Sequence, residues 1–207
     1  MTLQGLVGNL INVEVDVSGG MPSWNVVGLP DVGVRESKER IKTAIKNCGI
    51  DLLSRKYIIN LSPADIRKEG TGLDLAIAIG ILQSIGKIRQ FDSEKVLFVG
   101  ELSLDGKINK INGILPICLE SLKCGITKIV VSKDNAKEAS LVRELEVIGV
   151  DSLNTLIKYL NGQIKIFPEK ANIDEIFCNS ISHVDFSEVK GQESIKRALE
   201  IAAARRA

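Results

Sequence analysis

The chain has 207 residues, of which 44% are hydrophobic and 26% are charged, and its formal net charge is +1. This is the composition of a globular protein with room for one full domain and part of a second. The near-zero net charge excludes a global attraction to nucleic acid or acidic membranes, but it is compatible with a local basic patch. The first residues lack the charged segment and long apolar run of a signal peptide, which predicts a cytoplasmic protein.

The first predicted elements are two paired strands. Residues 12–18 alternate between valine and polar side chains, which is typical of a half-buried strand. Gly19 and Gly20 are expected to turn the chain, so that residues 23–29 form the second strand of a hairpin.

An amphipathic helix is predicted at residues 32–48, with Asp31 as its N-cap. Its polar side carries four cations at helical spacing: Arg35, Lys38, Lys42 and Lys46. One interpretation is a solvated face supported by the ion pairs Asp31–Arg35 and Glu36–Arg40. The other is a surface that binds successive phosphates. The sequence leaves both open.

The chain is organised around an apolar helix predicted at residues 70–82. Thr71 and Asp74 stand three apart at its start, as in a capping box. After Asp74 the helix has no polar face, and a helix that is apolar all round is buried on all sides. It is shorter than the roughly 20 residues needed to span a bilayer. We therefore expect the central core helix of a globular domain.

The later elements alternate between strands and helices. Strands are predicted at 57–61, 95–100, 127–131 and 146–150, a hairpin at 101–111 with a type I′ turn at Asp105-Gly106, and helices at 115–123, 135–142 and 152–160. This mixture predicts an α+β fold with a first domain at residues 1–162. Residues 163–185 resemble a linker, and residues 186–207 predict a helix whose apolar face meets no core within the chain. We therefore expect the sequence to stop inside a second domain.

Histidine and cysteine usage argues against a metal site. The chain has a single histidine, His183, and four cysteines without Cys-x-x-Cys spacing: Cys48, Cys118, Cys124 and Cys178. This pattern predicts reduced and mostly buried thiols and no metal ligands.

Three stretches together indicate a family. They are Val26-Val27-Gly28-Leu29-Pro30-Asp31 followed by Val34-Arg35-Glu36-Ser37, Asn60-Leu61-Ser62-Pro63-Ala64-Asp65 followed by Arg67-Lys68-Glu69-Gly70, and Phe98-Val99-Gly100-Glu101-Leu102-Ser103-Leu104-Asp105-Gly106. In this order they resemble the N-terminal domain of the YifB/ComM proteins, also called magnesium-chelatase-like ATPases. The segment around Val189, Lys190 and Gly191 resembles the opening of an AAA+ ATPase module.

The resemblance implies a fold and a function. The fold would be that of the Lon protease catalytic domain and of domain 2 of a ribosomal protein, a mixed sheet with packed helices. The whole protein would be a hexameric AAA+ ATPase that uses ATP and Mg²⁺ to remodel branched DNA, as in branch migration during natural transformation. Its DNA partner would be branched or single-stranded. This region would regulate, assemble or engage DNA without a cofactor of its own. Val189, Lys190 and Gly191 would form the adenine side of the nucleotide site. If the cations on the first helix bind phosphates rather than only water, a ring of six copies would bring Arg35, Lys38, Lys42 and Lys46 together as a basic annulus that contacts DNA.

The residues of a Lon-type catalytic dyad are missing. Laid over this chain, the Lon serine falls on Gly72 and the Lon lysine on Leu115, so nucleophile and base are both absent. Thr71 is better explained as a helix cap than as a nucleophile. Ser62 and Lys68 are explained by the turn around Pro63. No Gly-x-x-x-x-Gly-Lys-Ser/Thr phosphate loop occurs in the chain.

One alternative belongs to another functional class. The chain could be a free-standing enzyme, either a degenerate Lon-like peptidase or a chelatase-type component. A phosphate-loop sequence encoded after Ala207 would favour the motor protein, whereas a stop codon there would favour the free-standing enzyme.

Overall fold

The computed structural model describes residues 1–4, 7–170 and 188–204. The chain divides into two compact units, Met1–Ala171 and Asn172–Ala207. The strands of the first unit are β1 (Thr2–Gln4), β2 (Val7–Asn9), β3 (Asn12–Ser18), β4 (Ser23–Val27), β5 (Lys56–Ser62), β6 (Val96–Phe98), β7 (Glu101–Leu102), β8 (Ile108–Asn109), β9 (Lys128–Ser132) and β10 (Glu146–Val150). Its helices are α1 (Val32–Asn47), α2 (Asp74–Ser84), α3 (Ile114–Lys123), α4 (Lys133–Ala139) and α5 (Leu153–Leu160).

The first sheet has the strand order β3-β5-β4. Strand β5 pairs antiparallel with β3 and parallel with β4. The predicted hairpin between residues 12–18 and 23–29 is therefore wrong, because β5 lies between its two strands. The alternating pattern of β5 explains its central place, since Ile59 and Leu61 are fully buried while β3 and β4 are half-buried. Helix α1 makes the crossover from β4 to β5, as a parallel pair requires.

The other sheets are small. Strands β10-β9-β6 form a parallel sheet, β1 pairs with β2, and β7 pairs with β8. The hairpin predicted at 101–111 is confirmed, but its turn is not type I′. That turn needs positive φ at both central residues, and Asp105 is not among the described residues with positive φ. Instead, Gly106 has φ +85 and donates to Ser103 O at 2.9 Å, which closes a four-residue turn.

Helix α2 is the core helix that the sequence predicts. Ile77 and Ile81 are fully buried and Ile79 is nearly so. The helix packs closely on β3. A Cβ added to Gly80 would lie only 2.8 Å from Val15 Cγ2, so the close contact needs a glycine at this position. The predicted capping box is wrong. The helix begins at Asp74 without a side-chain cap, and Thr71 and Asp74 bond to other elements instead.

The predicted N-caps of two other helices are confirmed. Asp31 Oδ1 accepts a hydrogen bond from Val34 N at 2.7 Å and caps α1. Ser152 Oγ accepts from Thr155 N at 3.3 Å and caps α5. Residues 163–170 contain no helix or strand, but Ile166 packs against the main apolar core.

The described cysteines differ in their environments. Cys118 is buried, Cys48 is half-buried and Cys124 is exposed. The expectation of mostly buried thiols is therefore wrong for Cys124. Burial raises the pKa of Cys118 to about 12 and also raises the pKa of Cys48. Cys178 and His183 lie outside the described residues, as do 171–185 of the predicted linker and residues 186, 187 and 205–207 of the predicted module.

The second unit is described at residues 188–204. It contains helix α6 (Glu193–Ala204), in which Ile195, Leu199 and Ile201 are about half exposed. Among the described residues of both units, no helix is long and apolar enough to cross a membrane.

Candidate nucleic-acid interface

The first two family stretches meet at the side chain of Asp31. Besides capping α1, its carboxylate accepts a hydrogen bond from Gly70 N at 3.1 Å. The backbones add a second link, since Asp31 N donates to Lys68 O at 2.9 Å and Lys68 N donates to Leu29 O at 3.1 Å. The start of α1 is thus attached to the loop that leads into α2.

The third family stretch is linked to the first two through Asp74, which bonds to both α1 and the hairpin. Arg40 on α1 donates to Asp74 through Nε at 2.7 Å and through Nη2 at 3.1 Å. Asp74 also accepts from Leu102 N at 3.3 Å. Burial raises the pKa of Asp74, and the bond from Arg40 offsets this only in part. The predicted ion pair Glu36–Arg40 is not formed, because the arginine reaches the buried carboxylate instead.

Gly72, the predicted position of the Lon serine, lies beside this network. Thr71 Oγ1 donates to Glu101 Oε2, and Asn109 Nδ2 donates to Glu101 Oε1 at 3.3 Å. A Cβ on Gly72 would have ordinary contacts at 3.7 Å with Val99 and 3.8 Å with Ile111. Leu115 packs, partly buried, against the same apolar cluster that contains Val99 and Ile111. Glycine, which has no side chain, and the apolar Leu115 thus stand at the two positions predicted for a Lon-type serine and lysine, and this assignment stays a prediction.

Lys68 is a completely covered lysine in the loop before α2. Its ammonium donates to Pro63 O, and burial lowers the pKa of the group, while the charge of Asp65 opposes this shift. Ser62 is the last residue of β5, where it pairs with Asn12 of β3. The ammonium of Lys68 thus holds the turn, and no described hydrogen bond joins it to Ser62.

The four cations of α1 border a concave surface. Lys38, Lys42 and Lys46 line a concavity of about 420 Å³ together with Trp24 and Arg55. A neighbouring concavity of about 570 Å³ is lined by Arg35, Lys38, Trp24 and Lys56. We call the two together the basic groove, defined by Arg35, Lys38, Lys42, Lys46, Arg55, Lys56 and Trp24.

The charged side chains that line the basic groove are nearly all positive. Asp51 is the only carboxylate among the residues that line the two concavities. Lys38 Nζ lies 4.0 Å from the exposed Glu39, at the limit of an ion pair. The predicted pair Asp31–Arg35 does not occur among the described salt bridges, because Asp31 caps the helix. The groove therefore presents a positive surface although the whole chain is almost neutral.

Sequence reasoning identified only one wall of the basic groove. Trp24 on β4, Arg55 and Lys56 lie outside α1, so the helical spacing that marks the four cations gives no sign of them. The ring of Trp24 stands beneath Lys42, whose Nζ is 5.4 Å from the ring centroid. The one available signal was that Trp24 is the single tryptophan of the chain.

The remaining predicted site lies in the second unit. Val189 is exposed, and Gly191 precedes α6 with φ +72. The role of Val189, Lys190 and Gly191 at the adenine side of a nucleotide site stays a prediction. Within residues 1–4, 7–170 and 188–204, no group of three or more His, Cys, Asp or Glu side chains is placed to hold a metal ion.

Comparisons with known proteins identify the family. Residues 13–135 match the family described as subunit ChlI of Mg-chelatase. Competence protein ComM of Haemophilus influenzae is 34% identical over 97% of this chain and 40% of its own length. YifB of Escherichia coli is 37% identical over 94% of this chain and 38% of its own length. Lon protease 2 of Bacillus subtilis is more distant, at 24% identity over 74% of this chain and 30% of its own length.

The chain spans about 40% of the length of ComM and 38% of that of YifB. The matched region contains all three sequence stretches that meet around Asp31 and Asp74. The chain belongs to the YifB/ComM family of magnesium-chelatase-like proteins.

Proposed function

We propose that the chain is the N-terminal region of a ComM-type AAA+ motor acting on branched DNA, and that it engages DNA through the basic groove. The observation that carries this proposal is the convergence of cations from α1 and β5 on one concave surface. Phosphate contacts supply most of the affinity of non-specific DNA binding, and they need such a local patch rather than a high net charge.

The fold part of the proposal is a Lon-like domain without Lon chemistry. The similarity to Lon protease 2 supports the fold, and Gly72 and Leu115 at the dyad positions support the lack of peptidase activity. The chain would then serve the motor by binding, assembly or regulation.

ATP, Mg²⁺ and the hexameric ring belong to the proposed whole protein. The chain contains no phosphate-loop sequence that could cradle a triphosphate. We therefore assign no step of ATP hydrolysis to its residues, and Val189, Lys190 and Gly191 would at most border the nucleotide.

The test is DNA binding by the 207-residue chain at several salt concentrations. The double variant Lys38→Glu, Lys42→Glu reverses two charges in the basic groove. The matched control Lys87→Glu, Lys158→Glu reverses two exposed lysines that line neither concavity. Each phosphate contact contributes about 0.7–0.9 to the slope of log affinity against log salt.

We expect the groove variant to bind at least about tenfold more weakly and with a slope reduced by about 1.4–1.8, which corresponds to two lost phosphate contacts. The control should stay close to the wild type. Equal loss in both variants would mean that only net charge matters. Wild-type affinity and slope in the groove variant would contradict the proposal and leave the cations as a solvated face.

A further inference from the structure

Trp24 lies where the two concavities of the basic groove meet. Its half-buried ring lines both of them. Lys42 Nζ stands 5.4 Å from the centroid of the indole ring, and the ring of Tyr57 packs against the indole with 5.5 Å between the centroids and a 33° tilt between the planes. Cations therefore flank an aromatic platform.

We infer that the basic groove takes a single-stranded nucleic acid, with phosphates on the cations and a base stacked on Trp24. This inference rests on the proposed function and specifies its substrate. A duplex could be bound by the cations alone, because its phosphates lie outside while its bases are paired and stacked inside. An aromatic side chain among the cations adds affinity for a strand whose bases are free to stack on it.

The dimensions of the groove suit a strand of a few nucleotides. From Arg35 to Lys46 the stripe on α1 runs about 16 Å, at about 1.5 Å of rise per residue. The two concavities that Trp24 lines, of about 420 and 570 Å³, lie within the range of about 300–1,000 Å³ that small ligands occupy. The strand can therefore follow the cations past the ring of Trp24.

A bound phosphate can draw Lys42 away from the ring of Trp24. Its ammonium occupies the ring face in the free protein through a cation–π contact. A phosphate competes for the same ammonium through a charge-assisted hydrogen bond. Among the described residues, no acceptor lies within hydrogen-bond distance of the indole Nε1, so no such bond fixes the ring. When Lys42 turns to a phosphate, a base can take its place over the indole.

The experiment uses the fluorescence of Trp24, the single tryptophan of the chain. The wild type is titrated with an oligonucleotide and with the duplex of the same sequence. We expect the single strand to change the emission, because a stacked base quenches the indole, and the duplex to bind with a much smaller change. Affinities for both ligands are measured separately with a label on the DNA, so that variants without tryptophan can be compared.

The variants Trp24→Phe and Trp24→Leu separate stacking from phosphate binding. Loss of one stacked base at about 1–3 kcal/mol corresponds to about 5- to 150-fold in affinity. We therefore expect Trp24→Leu to lower the ratio of single-strand to duplex affinity by at least about fivefold, and Trp24→Phe to restore part of it. Circular dichroism confirms that each variant is folded, and Trp24→Phe, which keeps an aromatic ring, still allows the comparison if Trp24→Leu does not fold.

Two results would overturn the inference. An unchanged ratio in folded variants would show that the indole contacts no base, even if the lysine reversals weaken binding and the proposed function stands. A larger loss for the duplex than for the single strand would assign Trp24 to duplex binding. If instead the lysine reversals have no effect on either ligand, the proposed function itself fails.

Discussion

Arg40 Nε donates to Asp74 Oδ2 at 2.7 Å across 34 positions of sequence. The carboxylate is almost completely buried, with 1% of its side chain exposed, whereas 23% of the arginine side chain is exposed. The pair joins the helix that carries the basic groove to the central core helix. Through Leu102 N it also holds the hairpin of the third family stretch.

Replacing Arg40 should lower the free energy of unfolding more than replacing Asp74. Arg40→Met leaves a buried carboxylate without its cation, which typically costs about 3–5 kcal/mol. Asp74→Asn leaves a partly exposed guanidinium that water can solvate, so its cost should be smaller. Urea unfolding of both variants measures the difference. Equal losses would mean that the pair contributes through packing rather than charge.

The effect of Arg40→Met should also depend on pH. Because burial already raises the pKa of Asp74, its contribution to stability is full below the unfolded value of about 3.9 and is lost as the pH rises through the folded value. Removing Arg40 raises that pKa further. The destabilisation by Arg40→Met should therefore grow between about pH 4 and about pH 7, whereas that of Asp74→Asn should change less. Unfolding curves at both pH values test this, and a loss that shrinks with pH would contradict it.

The core position of α2 predicts large truncation costs. Ile77→Ala and Ile79→Ala should each destabilise the first unit by about 2–5 kcal/mol, because both side chains are buried. Leu119→Ala on α3 is the matched control, since 50% of Leu119 is exposed. Amide exchange in α2 should also be the slowest of the domain. Losses below about 0.5 kcal/mol at both isoleucines would place the helix at the periphery.

The backbone conformation at Gly28, in the first family stretch, requires a glycine. It has φ +96, and a Cβ there would lie 2.0 Å from Leu61 O. We expect Gly28→Ala to prevent folding or to cost well over about 3 kcal/mol, more than ordinary overpacking. Gly49→Ala, with φ +76 and no atom within 4 Å of its Cβ, should cost only about 1 kcal/mol. Thermal unfolding compares them, and similar midpoints would refute the close approach.

Gly72→Ser should restore no peptidase activity. The added side chain has room, because the nearest atoms would be 3.7 Å from its Cβ, so the variant should fold with a stability within about 1 kcal/mol of the wild type. It should still lack a base, since the lysine of a Lon-type dyad is predicted to fall on Leu115. Hydrolysis of an unfolded protein substrate is the measurement, with the wild type as reference. Activity in the variant would reveal a base that the sequence comparison overlooked.

Local signals in the sequence determined the helices, one strand and the core of this protein. The apolar stripe and Asp31 predicted α1 to within one residue of its end, and the pattern at Glu146–Val150 predicted β10 with its observed bounds. The uninterrupted apolar run after Asp74 predicted the burial of α2. These properties depend on residues that are neighbours in sequence, so periodicity and capping chemistry suffice to reveal them.

The tertiary structure alone decided the pairings between distant segments. Strand β5 lies between β3 and β4 because its buried face completes the core. Turn residues in the sequence do not predict this position. Asp74 serves Arg40 rather than a helix cap, since a buried carboxylate is stabilised most by a cation and two stretches of chain must meet to provide it. In the same way, parallel pairing of β4 with β5 places Trp24, Arg55 and Lys56 opposite the cations of α1 and forms the basic groove.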